Sequence, residues 1–395
     1  MAEELAIQRF QQYLQINTEQ PTPDYEKCTK FLLGYAKELG LETWTYECVK
    51  GKPFVGMILK GTDPSLPTLM LYSHTDVVPT FPGFWKYDPY SAHRDEKGDI
   101  YARGAQDMKC VGVQYMEALR KLLKDGKKFK RTIHILWGPE EEVCGADGMA
   151  LFSKTDKLKE LNIGFVLDEG LATEDDRYKV YYAERCPWWL KITCPGSPGH
   201  GSKFIENTAG AKLQSVINSF LAFREEERLK LEKDPNLKLG DVTTVNLTKI
   251  EGGVQLNVLP SEFVVYFDVR VTPTVDFEEF EARIKGWCEK AGPGVTIEFL
   301  QKCMVKQITP TTKEDPWWSA FSSALEELDC KISKEIFVGA TDSRYLREQG
   351  YKSIGFSPMI NTPQLLHDHN EYLNDKVFLR GVQIYERLIE RLANV

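Results

Sequence analysis

The stretch Leu69–Pro79, "LMLYSHTDVVP", decides the fold of this protein. Its first four residues are apolar or aromatic and predict a buried β-strand. The apolar run then stops, and His74 and Asp76 follow two residues apart. Ligand sites in α/β proteins lie outside the carboxyl ends of strands, so this ending predicts a functional site there.

Strands and helices alternate through the first half of the chain. The pattern predicts an N-terminal amphipathic helix, a second helix at about Tyr25–Leu39 and a third at Val111–Leu123. Apolar strands such as "RTIHILWGP" and "NIGFVLDEG" lie between or after them. This alternation indicates an α/β fold with helices on both faces of a sheet.

The pattern changes in residues 183–305. A strand there is followed by a long helix over Asn207–Lys233, two strands, a helix over Asp276–Lys290 and a last strand. The order β-α-β-β-α-β predicts an inserted α+β domain with an antiparallel sheet. The predicted division is therefore residues 1–182 and 306–395 in one domain and residues 183–305 in the other.

Composition excludes several classes of partner. The 395 residues are 42% hydrophobic and carry a net charge of −8, with no long basic block, so we expect no nucleic-acid binding. No apolar run approaches the length of a membrane span, about 18 residues. The nine cysteines form no Cys-x-x-Cys pair, and the N-terminal sequence has no apolar signal region. These features predict reduced thiols and a cytoplasmic location.

Chemically active side chains recur where apolar strands stop or glycine-rich turns begin. They are His74 with Asp76, Asp107, Glu140 to Glu142, and Asp168 with Glu169. Several carboxylates that converge in one cleft repel each other unless a cation lies between them. Imidazole with carboxylates is a ligand set suited to Zn, Mn or Co. His367, in "QLLHDHNEYL", is a further candidate ligand.

Each cluster alone also fits a simpler interpretation. A glutamate triplet is usually a solvated surface, Asp168 with Glu169 could cap a helix, and His367 could be a surface histidine. His134, inside the apolar strand "TIHIL", is expected to be a core residue. The repeated placement of acidic residues at strand ends is what favours a metal site.

The motifs "SHTDVVP", "ARGAQDMKC", "PEEEVCG", "LDEG", "PGHGSKF" and "LLHDHNE" resemble, in order and spacing, those of the co-catalytic zinc peptidase and amidohydrolase family. "ERCPWW", "VNLTKIEGGVQLNVLP" and "ATDSRY" resemble, within that family, the cytosolic aminoacylases, which are N-acyl-L-amino-acid amidohydrolases. The resemblance implies a zinc-peptidase-like catalytic domain with a central mixed sheet and an inserted lid and dimerisation domain.

The resemblance also implies a set of metal ligands. Asp107 would bridge two zinc ions, with Co²⁺ or Mn²⁺ as possible substitutes, and the peptide bond after it would be cis. One ion would be completed by His74 and Glu169, and the other by Glu142 and His367. Asp76 would then fix the ring of His74.

Glu141 would be the general base and acid in this scheme. The triplet allows three registers, and Pro139 before it and Val143 after it favour Glu141 for this role. Glu140 would then lie outside the ligand set or in solvent.

The inserted domain would contribute His200, from "GSPGHGS", as a donor to the oxyanion, supplied by the partner subunit of a homodimer. Without the family, a solvated loop histidine is the simpler interpretation. Arg270 ends the strand "VVYFDVR" and could hold the carboxylate of a substrate. Asn257, Thr341 and Gly339 match positions that the family uses near the substrate. Arg270 could instead pair with Asp268, and Thr341 could cap the helix that follows it.

The predicted function is zinc-dependent hydrolysis of an N-acyl-L-amino acid to a carboxylate and a free L-amino acid. The alternative is a metallo-dipeptidase or carboxypeptidase of the same fold, which would share the metal residues and differ in the acyl-side pocket. A non-catalytic binding protein would have a broken ligand set, and this set is intact. Acetyl and long fatty acyl substrates both remain open.

Overall fold

The computed structural model describes residues 2–395, which divide into two compact units. The first contains the chain up to Tyr182, Ile308–Lys334 and Thr341–Val395, and the second contains Ala183–Gln307 and Glu335–Ala340. The sequence assigned the last of these segments to the first domain. It lies in the second unit because it pairs with the start of that unit, where Arg185 N donates to Phe337 O at 3.0 Å.

Most helices begin at a residue whose side chain caps the first turn, such as Asp24, Thr208 or Asn374. The described helices are α1 Ala2–Leu14, α2 Tyr25–Leu39, α3 Lys109–Lys124, α4 Met149–Phe152, α5 Asp156–Glu160, α6 Ala209–Lys233, α7 Phe277–Ala291, α8 Pro316–Glu326, α9 Ser343–Glu348 and α10 Asp375–Leu392. No helix within residues 2–395 has both the length and the apolar character that crossing a membrane requires.

The strands form one large sheet, one four-stranded sheet and two small ones. They are β1 Glu42–Val49, β2 Lys52–Leu59, β3 Thr68–His74, β4 His93–Arg94, β5 Asp99–Tyr101, β6 Ile133–Gly138, β7 Ile163–Asp168, β8 Tyr178–Glu184, β9 Cys186–Pro195, β10 Gly199–His200, β11 Thr244–Gly252, β12 Val258–Leu259, β13 Glu262–Val271, β14 Thr296–Lys302, β15 Ile332–Phe337, β16 Ser353–Gly355 and β17 Tyr372–Asn374.

The large sheet is mixed and has the order β1-β2-β6-β3-β7-β16-β8-β15. Strands β6, β3, β7 and β16 are parallel neighbours, whereas β1, β2 and β8 pair antiparallel with theirs. Every residue of β3 is buried. Apolar clusters lie on both sides of the sheet, one around Phe10 and Leu119 and the other around Phe54 and Phe152. The predicted α/β fold with helices on both faces is confirmed.

The second unit contains an antiparallel sheet with the order β11-β13-β9-β14. Its own core contains Trp188, Phe220 and Phe267, so α6 and α7 pack on this sheet. The order along the chain is the predicted β-α-β-β-α-β. The two-residue strands β10 and β12 pair antiparallel beside it, with His200 opposite Val258.

The buried histidine of β6 gives a prediction for stability. His134 is 7% exposed, and burial lowers its pKa from 6.5 to about 4. Between these two values the unfolded chain binds a proton that the folded chain excludes, so stability rises with pH. The stability that neutral His134 gives the folded chain is fully present above pH 6.5 and is lost as the pH falls towards 4. The free energy of unfolding decreases by about 3 kcal/mol over this range.

His134→Leu should therefore make unfolding less sensitive to acid. Urea denaturation at pH 4.5 and pH 7.5 measures this, and the loss of stability between the two should be about 3 kcal/mol smaller in the variant than in the wild-type protein. An equal loss of stability in both proteins would show that the folded chain accepts a proton on His134 as readily as the unfolded chain does.

Candidate metal and active site

The carboxyl ends of the parallel strands bring the predicted metal ligands together in the first unit. His74 is the last residue of β3, and its position opposite Gly138 places the end of β6 beside it. The turn after β6 carries Glu141 and Glu142. Glu169 directly follows β7, Asp107 precedes α3, and His367 lies in the loop before β17.

Asp107 lies between the two histidines. Its Oδ1 is 2.9 Å from His74 Nε2, and its Oδ2 is 3.3 Å from His367 Nε2. His74 Nε2 is also 3.6 Å from Glu169 Oε2, and His367 Nε2 is 3.0 Å from Glu142 Oε2. Each oxygen of Asp107 therefore faces one histidine that has its own second carboxylate. The Asp107–Met108 peptide bond is cis, as the resemblance implied.

These distances fit divalent cations. Two ligand atoms that each lie about 2.0 Å from a tetrahedral zinc ion are about 3.3 Å apart. The four distances above, from 2.9 to 3.6 Å, lie around that value. Ligand atoms of His74, Asp107 and Glu142, and of His74, Glu141 and Glu169, also lie within 4.8 Å of one another. The residues present thus fit a metal site, and Glu141 lies beside it.

The pKa values of the carboxyl groups also indicate a site for a cation. Burial and the neighbouring Glu169 raise the pKa of Glu141 well above its usual value. Burial and the nearby Asp107 raise the pKa of Glu169 in the same way, and that of Glu142 to about 7. Ionised carboxylates at this position are therefore unfavourable by themselves, and a cation between them would remove the repulsion.

The histidines and Asp107 stabilise each other's charged forms. Burial opposes protonation of His74, but the carboxylates of Glu169 and Asp107 raise its pKa well above the usual value. Hydrogen bonds to Asp107 and Glu142 raise the pKa of His367 to about 10. Burial acts against ionisation of Asp107, but contacts with both histidines lower its pKa. A divalent cation would take the place of these protons.

Asp76 supports the site through both its backbone carbonyl and its side-chain carboxylate. Its carbonyl oxygen lies 2.9 Å from His74 Nδ1, which leaves Nε2 directed at Asp107. Its carboxylate accepts the backbone N–H groups of Glu141 and Glu142 at 3.1 and 3.2 Å. The resemblance implied that Asp76 fixes the ring of His74, and the atom at hydrogen-bond distance is its backbone carbonyl, since the nearer carboxylate oxygen is 3.8 Å from Nδ1. Asp76 thus also positions the glutamate turn.

Glu140 is buried and belongs to this support. Its carboxylate accepts hydrogen bonds from Tyr25 Oη at 2.9 Å, from Gln20 Nε2 at 3.3 Å and from Lys52 Nζ at 2.8 Å. Gln20 Nε2 also donates to Asp76 Oδ2 at 2.8 Å. Glu140 therefore lies buried beside the proposed ligands and not in solvent, the second of the two alternatives that the sequence left open.

Glu371 supports the loop that carries Asp107. It is fully buried and pairs with Arg103 at 2.9 Å. Its Oε1 accepts the backbone N–H groups of Gln106 at 2.6 Å and of Asp107 at 3.3 Å. Sequence reasoning missed Glu371, although it lies in the same motif as His367.

Thr341, predicted to bind substrate, contacts the β7 end of the site. Its Oγ1 donates to Asp168 Oδ2 at 3.2 Å and accepts from Ser343 N, at the start of α9, at 3.2 Å. The N-cap residue of α9 is Asp342. Ser343 Oγ donates to the same oxygen of Asp168 at 2.5 Å. These contacts fix Asp168, whose Oδ1 accepts the backbone N–H of Glu169 at 2.8 Å.

The other predicted residues lie in the second unit. His200 is exposed, and its Nδ1 lies 2.8 Å from Ser202 Oγ. Asn257 O accepts the N–H of Gly201 at 2.8 Å, so the loops of His200 and Asn257 lie side by side. Arg270 pairs with Asp268, as one alternative expected, through Nε at 2.8 Å and Nη2 at 3.2 Å. Gly339 lies in the bend after β15.

Histidines and carboxylates grouped at the strand ends of a mixed α/β sheet, with Glu141 beside them, are the arrangement that a metallohydrolase requires. The model of peptidase family M20/M25/M40 matches residues 70–391. Aminoacylase-1A of Rattus norvegicus is 51% identical over 394 residues, which cover 100% of this chain and 97% of the rat protein. The chain therefore belongs to peptidase family M20/M25/M40, and it is a hydrolase that acts on amide bonds.

Solved structures show the same fold at low sequence identity. Aminopeptidase PepT from Bacillus cereus superposes with a TM-score of 0.78 at 16% identity, covering 99% of each chain. The YXEP protein of Bacillus subtilis, a dinuclear metal binding peptidase from the M20 family, has a TM-score of 0.66 at 15% identity and covers 98% of each chain.

Proposed function

We propose that this protein is an aminoacylase: a two-zinc hydrolase that cleaves the amide bond of N-acyl-L-amino acids. The products are a carboxylate and a free L-amino acid. The observation that carries the proposal is the position of Asp107 between two histidine–carboxylate pairs. The identity with the rat aminoacylase over the full chain supports the choice of substrate.

The proposed ligands are His74 and Glu169 for one ion, Glu142 and His367 for the other, and Asp107 for both. Bound cations would lower the pKa of a water and polarise the amide carbonyl. Co²⁺ or Mn²⁺ could replace zinc, because the same donor types suit these ions.

Glu141 is the proposed general base and acid. Its carboxylate takes a proton from the attacking water and gives it to the leaving nitrogen, so the amine departs neutral. The backbone contact with Asp76 holds the turn in which Glu141 lies. Glu142 follows Glu141 directly and leaves the turn in another direction, so one side chain can bind metal while the other faces the water.

We propose that the substrate carboxylate binds Arg270 and that Asn257, Thr341 and Gly339 are further substrate-binding residues. An arginine guanidinium can hold a carboxylate through two parallel hydrogen bonds. Arg270 directs Nε and Nη2 to Asp268, which leaves Nη1 for a further acceptor. We propose the first unit as the catalytic domain and the second as the lid and dimerisation domain.

We also propose a homodimer in which His200 of one copy stabilises the oxyanion at the catalytic centre of its partner. The loops beside His200 carry Phe204 and Leu256, whose side chains are fully exposed, and Val254, which is 88% exposed. Exposed apolar side chains in one patch are typical of an interface. A cytoplasmic location is supported by the cysteines, all nine of which are free thiols.

Substrate choice tests the proposal against its alternative. The zinc-loaded protein should hydrolyse N-acetyl-L-methionine at least about tenfold faster, as kcat/KM, than the neutral dipeptide Ala-Met. The carboxylate end is the same in both compounds, so the comparison isolates the acyl side. A preference for the dipeptide would contradict the proposal and favour a dipeptidase. Extending the panel from acetyl to long fatty acyl groups would then define the acyl pocket.

A further inference from the structure

Arg185, which lies between β8 and β9, is a buried cation that contacts neutral acceptors. It is 6% exposed. Its Nε and Nη2 donate to Val338 O at 3.3 and 3.0 Å, and its Nη1 donates to Thr244 Oγ1 at 3.0 Å. Nη1 also lies 3.4 Å from Leu239 O and from Val242 O. Within residues 2–395, Arg185 has no carboxylate oxygen at ion-pair distance.

The register of the second sheet places Arg185 at the same end as Arg270. Thr244, which accepts from Arg185, lies directly opposite Arg270 in the β11–β13 pair. Arg270 also lies opposite Pro187 of β9, two residues after Arg185. Burial and the neighbouring Arg270 lower the pKa of Arg185 to about 10, so it remains charged at neutral pH.

Arg185, Arg270 and Asp268 together carry a net charge of +1. Arg185 and Arg270 are both positive, and Asp268, which pairs with Arg270, supplies one negative charge. Asp268 attracts Arg185 but already pairs with Arg270, so the hydration that Arg185 loses on burial is only partly offset. One monovalent anion would neutralise the group. A free α-carboxylate has that charge and matches the geometry of a guanidinium.

We propose that Arg185 is a positioning residue that makes the enzyme select substrates with a free α-carboxylate. It fixes Thr244 opposite Arg270, it fixes the carbonyl that precedes Gly339, and it adds a second positive charge behind Arg270. This inference rests on the proposed function, in which Arg270 binds the substrate carboxylate. It adds a residue that acts on Arg270 through Thr244 and through its charge and does not touch the substrate.

The test compares a carboxylate ligand with its neutral carboxamide. Arg185→Met should raise KM for N-acetyl-L-methionine about tenfold and leave kcat within about twofold, since a charge of this kind acts on binding. In a Glu141→Gln background, which prevents turnover, calorimetry should show weaker binding of N-acetyl-L-methionine and unchanged binding of its carboxamide.

Lys212→Met is the matched control. Lys212 is also a buried cation of the second unit, 4% exposed, and its Nζ donates to a backbone carbonyl, Pro293 O, at 2.5 Å. Removing it should lower Tm without changing the preference for the carboxylate over the carboxamide. Arg185→Lys keeps the charge but not the forked geometry, so KM should rise by about threefold.

Equal weakening of both ligands by Arg185→Met, or no weakening of either, would overturn the proposal and leave Arg185 a purely structural residue. If Arg185→Met does not fold, the binding of the carboxylate and of the carboxamide is compared in Arg185→Lys instead. If the wild-type protein hydrolyses no N-acyl amino acid, the proposed function fails. The inference about Arg185 is then tested by calorimetry alone. It holds if the wild-type protein binds the carboxylate more tightly than the carboxamide and the Arg185 variants lose this preference.

Discussion

Glu141→Gln is expected to reduce kcat for N-acetyl-L-methionine by at least about 10³-fold while both zinc ions stay bound. The amide has nearly the shape of the carboxylate but cannot accept the proton of the attacking water. Since the proposed ligand set does not include Glu141, metal content should not change. Steady-state kinetics and elemental analysis of the same preparation measure the two quantities.

Asp147→Asn is the matched control for this variant. Asp147 lies a few residues along the same loop, is exposed and pairs with Lys52 at 2.7 Å. Its substitution removes one carboxylate from the loop without touching the ligands, so turnover should stay within about twofold, as is usual for a surface change. A wild-type rate in Glu141→Gln would contradict the mechanism. Loss of one zinc ion from it would make Glu141 a ligand, which its distance from His74 and Glu169 allows.

Metal removal should abolish activity and lower stability. The carboxyl groups of Glu141, Glu142 and Glu169 have raised pKa values because they are buried close together and near Asp107. Without cations their ionised forms repel each other. Zinc at one hundred times its dissociation constant stabilises one site by about 2.7 kcal/mol. Chelation should therefore lower Tm by about 5 °C or more, as scanning calorimetry would show.

Asp107→Asn is the control for metal removal. It replaces the residue that faces both histidines with an amide, which is a poor ligand for zinc. Added zinc should restore chelated wild-type protein but should restore neither activity nor Tm in this variant. A variant that recovers both would show that Asp107 does not bind the metals.

The fold could be predicted from the sequence because its signals are local. The apolar run before His74 and the alternation of strands and helices predict an α/β sheet with helices on both faces, and α2 begins and ends at the predicted residues. The mixed character of the sheet was implied by the resemblance alone. Helix α8 was missed, although Asp315 caps it and Pro316 occupies its first position. The segment 335–340 lies in the second unit, and the sequence could not show this because the hydrogen bond between Arg185 N and Phe337 O joins residues far apart in the chain.

The supporting contacts of the site could not be predicted for the same reason. Gln20 reaches Asp76 across 56 residues, and Tyr72 reaches Asp342 across 270. Each of these side chains is ordinary in its own segment. Their function depends on which strand ends meet, and the tertiary structure alone determines that. The candidate ligands could be predicted from the sequence, because acidic residues at the ends of apolar strands form a recognisable local pattern.

The most direct test is a zinc titration of chelated wild-type protein, with release of free methionine from N-acetyl-L-methionine as the readout. The account predicts no hydrolysis without metal and full recovery as the zinc content reaches two ions per chain. Full hydrolysis by the metal-free protein would contradict it. So would a protein that binds two zinc ions and releases no amino acid.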